Sequence, residues 1–162
     1  MTDVKVKFIL NGETVEKSVK PNLTLLDMLR RDFKLVGMHK GCDKGECGAC
    51  TVLMDGKPVN ACLILAPSVS NHAIMTVEAL GRGWPGNLHP LQEAFIQSHA
   101  LQCGFCTPGM LLSAKALLDQ NLHPTREDVK KAIAGNLCRC TGYSQIIDAV
   151  MVAAEALEAA KP

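Results

Sequence analysis

The sequence predicts an α+β fold in two parts, a small mixed sheet wrapped on one helix and then a four-helix bundle. Apolar residues recur with a period close to two in the first half, and with helical spacing beyond a flexible stretch holding Gly81, Gly83, Pro85 and Gly86. Four of the eight cysteines fall on each side of that stretch. The 162 residues, 48% hydrophobic and 20% charged, suffice for two small domains with their own cores, taken here as 1–79 and 80–162.

Val4, Val6, Phe8 and Leu10 alternate with Lys5, Lys7 and Ile9. Asn11-Gly12 joins that run to a second from Thr14 to Val19, the strongest short signal for a hairpin. Pro21 ends the second strand, and Thr24 is suited to cap a short helix whose inner face is Leu25, Leu26, Met28 and Leu29, ending near Asp32. A Gly- and Cys-rich stretch follows. Thr51 to Met54 then reads as a strand, Asp55-Gly56 as a turn, Pro58 to Cys62 as the return strand and Ile74 to Val77 as the last.

In the second half, Pro90 suits the first turn of a helix carrying Leu91, Ala94 and Phe95. Thr107-Pro108 reads as an N-cap followed by proline at the first helical position, opening a helix with Leu111, Ala114, Leu117 and Leu118. Thr125 and Asp128 resemble a capping box for a third helix through Val129, Ala132 and Ile133, ended by Gly135. Ile146, Ile147, Val150, Ala154 and Leu157 mark a fourth.

Composition excludes several functions. Seventeen Lys and Arg against sixteen Asp and Glu give a net charge of +1, without the basic runs of nucleic-acid or membrane-surface binders. Aromatic residues are only 4%, too few for a base-stacking platform. The N-terminus lacks the apolar run of a signal peptide and no segment approaches a membrane span, so a cytoplasmic location without membrane insertion is expected. There, thiols at short spacings hold metal or do redox chemistry rather than form disulfides. His39, His72, His89, His99 and His123 pair with no Cys or carboxylate at catalytic spacing and read as surface or core residues.

Cys42, Cys47, Cys50 and Cys62 are separated by four, two and eleven residues, and the first three match the C-x4-C-x2-C spacing of plant-type 2Fe-2S ferredoxins. A sulfide-bridged iron pair needs thiolates converging from all sides. Gly41, Gly45 and Gly48 let a short loop curl around it and bring amides to the sulfurs. Zinc would require a second compact pair, which Cys42 and Cys62 do not form. The second set is Cys103-x2-Cys106 and, after thirty-one residues, Cys138-x-Cys140, both at helix ends where free amides favour an anionic group. Its spacing fits either iron–sulfur or zinc.

Three strings carry a resemblance: Gly41-Cys42-Asp43-Lys44-Gly45-Glu46-Cys47-Gly48-Ala49-Cys50-Thr51-Val52, Gln102-Cys103-Gly104-Phe105-Cys106-Thr107-Pro108-Gly109-Met110 and Gly135-Asn136-Leu137-Cys138-Arg139-Cys140-Thr141-Gly142-Tyr143. They resemble the iron–sulfur subunit of the molybdenum hydroxylases, the family of xanthine dehydrogenase, aldehyde oxidoreductase, carbon monoxide dehydrogenase and 4-hydroxybenzoyl-CoA reductase. The resemblance covers almost the whole chain. It implies a β-grasp 2Fe-2S ferredoxin-like domain, then a four-helix bundle with a second 2Fe-2S cluster, which favours iron over zinc at the second set. It further implies a large molybdopterin-binding subunit beside Cys103, Cys106, Cys138 and Cys140, and a medium FAD-binding subunit or other acceptor beside Cys42, Cys47, Cys50 and Cys62. Gln102 matches the residue that hydrogen-bonds the molybdopterin, and Cys140 the ligand closest to it. The neutral reading of Gln102 is an amide satisfying backbone groups at a helix end.

The expected role is that of an electron-transfer subunit in a dimer of heterotrimers, with no substrate site or catalytic residue on this chain. A free ferredoxin-like carrier is the alternative, although such carriers are single acidic domains, and a zinc-stabilised interaction module is a third reading.

Overall fold

The computed structural model of the chain describes residues 2–160. Five strands, β1 (Val4–Leu10), β2 (Glu13–Val19), β3 (Thr51–Met54), β4 (Lys57–Asn60) and β5 (Ala73–Met75), form one mixed sheet in the order β2-β1-β5-β3-β4. Only the β1–β5 pairing is parallel. Helix α1 (Leu25–Arg31) packs its four apolar residues into the sheet core with Val6, Phe8, Val52 and Ile74. This is an α+β, ferredoxin-like half followed by a helical one.

Both two-residue hairpins form as the turn chemistry requires. Asn11 and Gly12 take φ of 53° and 88°, Asp55 and Gly56 take 51° and 77°, and these left-handed pairs match the twist of the flanking strands. Two strand ends differ from the sequence expectation. The return strand stops at Asn60 rather than Cys62, because the Ala61 carbonyl turns to accept the Leu26 N–H at the start of α1, at 3.1 Å. The last strand runs Ala73–Met75 rather than Ile74–Val77, because the Thr76 N–H donates to the Asn11 side chain at 2.8 Å, and Val77 turns towards the helices.

The helical half contains α2 (Pro90–Gln97), α3 (Thr107–Gln120), α4 (Arg126–Ile133) and α5 (Ser144–Ala159), which share one apolar core including Leu91, Phe95, Met110, Val129, Ile146 and Val150. Thr107 is not the cap of α3 but its first residue: the Cys106 carbonyl accepts the Met110 N–H at 3.0 Å, so Cys106 takes the capping position. The capping box at Thr125 and Asp128 forms. Helix α4 ends at Ile133, short of Gly135, as Ala134 closes a tighter turn onto Lys131.

Helix α3 is buried on nearly every side, as expected of a helix sandwiched between layers. Its Leu112 and Ala116 pack on Leu53 of β3, while Met110, Leu111 and Ala114 face the other helices. That docking brings the two cysteine-bearing halves together.

Candidate metal centres

The chain runs from the end of α1 to β3 without regular structure, and its second part, Lys40 to Cys50, carries three of the cysteines. Asp43, Gly45 and Gly48 take φ of 57°, 82° and 67°, and these left-handed turns coil the loop on itself. At Gly41 a Cβ would lie 2.9 Å from the Cys47 Sγ, so the loop closes on its own sulfurs only with glycine there. Cys42 and Cys47 are half-buried, whereas Cys50 and Cys62 are buried beneath them.

Cys62, just past β4, joins the three thiols of this loop, where Cys47 acts on Cys42, and Cys62 and Cys47 both act on Cys50. Backbone N–H groups of Lys44, Cys47 and Glu46 also turn towards the Cys42 sulfur, the last at 3.3 Å, and bring that thiol down to about 6. Burial pushes the Cys50 thiol the other way, up to about 12, with Cys62 beside it.

The second set is built from two separate segments. Cys103 and Cys106 precede and cap α3, and Cys138 and Cys140 lie between α4 and α5. The Cys103 and Cys140 sulfurs are 3.5 Å apart, and the Cys138 thiol lies near enough to act on Cys106. The Phe105 N–H holds Cys103 below the ordinary thiol range, and the Cys103 thiol in turn raises Cys140. Burial drives Cys106 up to about 12. Burial is the largest influence on Cys138 too, but the Thr141 hydroxyl at 3.2 Å and the N–H groups of Thr141 and Cys140 outweigh it and leave this thiol at about 7.

The eight sulfurs gather as two sets of four, the number of thiolates that hold a bridged pair of irons with two on each. A second observation agrees. The Thr107 hydroxyl, beside Cys106 in the chain, is the one buried side-chain N or O atom without a hydrogen-bond partner among the described residues. Such an orphan is costly unless another group meets it, and the sulfurs of a bound cluster are acceptors for it.

Gln102 lies at the exposed edge of the second set and its Nε2 donates to the Cys140 carbonyl at 3.1 Å. The structure thus brings Gln102 and Cys140 together, with the backbone bond that the neutral reading expected. Two histidines depart from the expectation by meeting carboxylates at the surface, His72 with Asp55 at 2.5 Å and His123 with Glu158 at 3.3 Å, and His39 stacks on Phe105 with ring centroids 4.6 Å apart while its Nδ1 meets the Phe105 carbonyl at 2.9 Å. That contact ties the loop of Cys42 to the loop of Cys103 and Cys106. It was invisible in the sequence because the two residues are 66 positions apart. A backbone bond from the Leu137 N–H to the Cys47 carbonyl, at 2.9 Å, is a second tie between the sets.

Comparison with known proteins agrees with this geometry. Residues 8–69 match the family described as 2Fe-2S iron-sulfur cluster binding domain, and residues 76–151 the family described as [2Fe-2S] binding domain. The chain is 47% identical over 155 residues to the nicotinate dehydrogenase small FeS subunit of Eubacterium barkeri, covering 96% of this chain and 98% of that one. It is 51% identical over 148 residues to the nicotine 6-hydroxylase small subunit of Paenarthrobacter nicotinovorans, covering 91% and 88%. It superposes on quinoline 2-oxidoreductase from Pseudomonas putida 86 with a TM-score of 0.92 and 42% identity over the full length of both chains. With two sets of four cysteines, a 2Fe-2S family match over each half and relatives of this closeness along its whole length, the chain belongs to the iron–sulfur small subunits of the molybdenum hydroxylase, or xanthine dehydrogenase, family.

Proposed function

We propose that this chain conducts electrons through two 2Fe-2S clusters between a molybdopterin site on a large subunit and a flavin on a medium subunit. Cys42 with Cys47 and Cys50 with Cys62 would hold the two irons of the flavin-side cluster. Cys103 with Cys140 and Cys106 with Cys138 would hold those of the molybdenum-side cluster. The observation that carries this reading is the gathering of eight thiols into two sets whose loops touch, through the Leu137 N–H to Cys47 carbonyl bond and the His39–Phe105 stack.

When bound, each cluster supplies a site that takes up and releases one electron. The chain's own residues do the rest. Burial of Cys50 and Cys62 keeps water from one cluster, and N–H donors at Cys42 and Cys138 stabilise thiolate charge and so tune the potentials. Cys103 and Cys140 reach the surface, and the neighbouring Leu101, Phe105 and Leu137 are exposed as well. An apolar rim around exposed ligands supports docking of this edge against the large subunit, with Gln102 and Cys140 nearest the pterin.

The four helices sharing one core support a four-helix bundle as residues 80–162. Ile74 belongs to the sheet core, and Met75, Val77 and Leu80 meet the helical core, so the passage between the domains falls within residues 75–80, and we close the ferredoxin-like domain at residue 79. No described helix is long and apolar enough to cross a membrane. We place the complex in the cytoplasm, as a dimer of heterotrimers.

Purification of the natively expressed chain with its bound partners, assayed for iron, acid-labile sulfide, zinc and molybdenum, tests the proposal. Four irons per chain, two for each 2Fe-2S domain, together with a molybdenum-bearing partner are expected. Full iron with no partner would turn the reading to a free carrier, and zinc without iron would overturn it.

A further inference from the structure

The two sulfur sets meet at a buried polar knot centred on Asn136, whose side chain none of the roles above uses. Asn136 is only 4% exposed and lies two residues before Cys138. Its Nδ2 donates to the Gly48 carbonyl at 3.0 Å and to the Thr51 hydroxyl at 3.2 Å, while its Oδ1 accepts from the Ser113 hydroxyl at 2.7 Å. Gly48 lies between Cys47 and Cys50, Thr51 directly follows Cys50, and Ser113 sits on α3, the helix that Cys106 caps. One amide thus holds the segments carrying ligands of both sets.

The backbones around it are in contact. A Cβ at Gly48 would lie 2.4 Å from the Gly135 carbonyl oxygen, and one at Gly109 would lie 2.3 Å from the Gly48 carbonyl oxygen. No side chain can act as a spacer at these glycines, so the approach of the loops there is set by backbone contact and by the Asn136 hydrogen bonds. A buried amide with both donors and its acceptor paired resists displacement, because moving it strands polar groups away from water. The residue after Asn136 makes the Leu137–Cys47 backbone bond, so holding the amide also holds a direct backbone link between the ligand loops.

We propose that Asn136 is a positioning residue that fixes the spacing and relative orientation of the two clusters, and with them the rate at which electrons cross between them. This rests on the two-cluster reading. A residue that merely stabilised the fold would shift the melting temperature and leave the magnetic and kinetic coupling of assembled clusters as it was.

The test uses the complete complex carrying Asn136→Asp, which can keep the bond from Ser113 but sets an acceptor against the Gly48 carbonyl in place of a donor. Iron and sulfide content, the electron paramagnetic resonance signals of the two reduced clusters, the splitting from their mutual spin coupling, and the inter-cluster transfer rate after rapid photoreduction are measured. Both signals and full iron are expected to persist, with the splitting altered and the transfer slowed severalfold. Ser113→Ala, which leaves both Asn136 donations intact, is expected to shift the same two readouts less, and decides the matter if the aspartate variant does not assemble. An unchanged splitting and rate in a variant with both clusters present would overturn the role of Asn136. Failure of the underlying reading looks different: the unaltered complex would itself lack the second signal and half of the iron.

Discussion

A single methyl group at position 109 tests how closely the two halves approach. Gly109 has ordinary helical geometry inside α3, so its glycine is needed for space and not for backbone freedom. Gly109→Ala would drive a Cβ to 2.3 Å from the Gly48 carbonyl oxygen, a backbone atom that cannot swing aside, and this overpacking is expected to cost about 1–3 kcal/mol. Thermal unfolding of the complex would register the loss. Gly135→Ala, where a Cβ meets nothing within 4 Å, provides the control. At this scale the cysteines and loop glycines were legible in the sequence, because ligand spacing is a local property. Asn136 and His39 were not. Their partners lie as far as 88 residues away, and nothing near them in the chain distinguishes a buried amide that links two loops from one that faces solvent.

Among the elements, α2 owes its start to an unusual cap. His89 is buried, its Nδ1 accepts the Leu91 N–H at 3.1 Å, and Gln92 returns the favour by accepting the His89 N–H at 2.9 Å. Burial, and then the nearby Lys115, hold this imidazole neutral and lower its titration to about 4, against a weaker opposing pull from Asp119. The unfolded chain therefore takes up this proton first as pH falls. The cap's contribution is complete above the ordinary histidine value near 6.5 and is lost progressively down to about 4. At most about 3 kcal/mol is at stake over that window. His89→Asn keeps an N-cap acceptor without the titration, so its denaturation midpoint should vary less with pH between 6.5 and 4 than that of the unaltered protein; parallel curves would refute the assignment. Most elements were legible for the same reason that this cap works: hairpin dipeptides, prolines at first turns and capping residues act within a few positions. The ends of β4 and β5 were not, because the Ala61 carbonyl and the Thr76 N–H are claimed by α1 and by Asn11, partners from other parts of the chain.

For the whole molecule, the question is whether two halves with separate cores behave as one body. Leu53, Leu112 and Ala116 form a small third core between the sheet and α3, with Met75 and Val77 packed against it. Together with the Asn136 knot and the His39–Phe105 stack, it joins the ferredoxin-like and helical parts across the region where the sulfur loops meet. Sequence periodicity located both halves but could not foresee this junction, since Leu112 has the pattern of any core residue of α3 and only its contacts reveal that it faces the sheet. Leu112 is 1% exposed, and Leu112→Ala is expected to cost about 2–5 kcal/mol by leaving a cavity at the junction. The loss should fall on the coupling between the halves more than on either core. In the unaltered protein, bleaching of the cluster absorption and loss of helical circular dichroism should coincide in a denaturant titration, as in one cooperative unit. In Leu112→Ala the two transitions should separate. If they moved together to lower denaturant, the halves would be held as one body by the polar contacts alone, and the apolar junction would contribute stability without cooperativity.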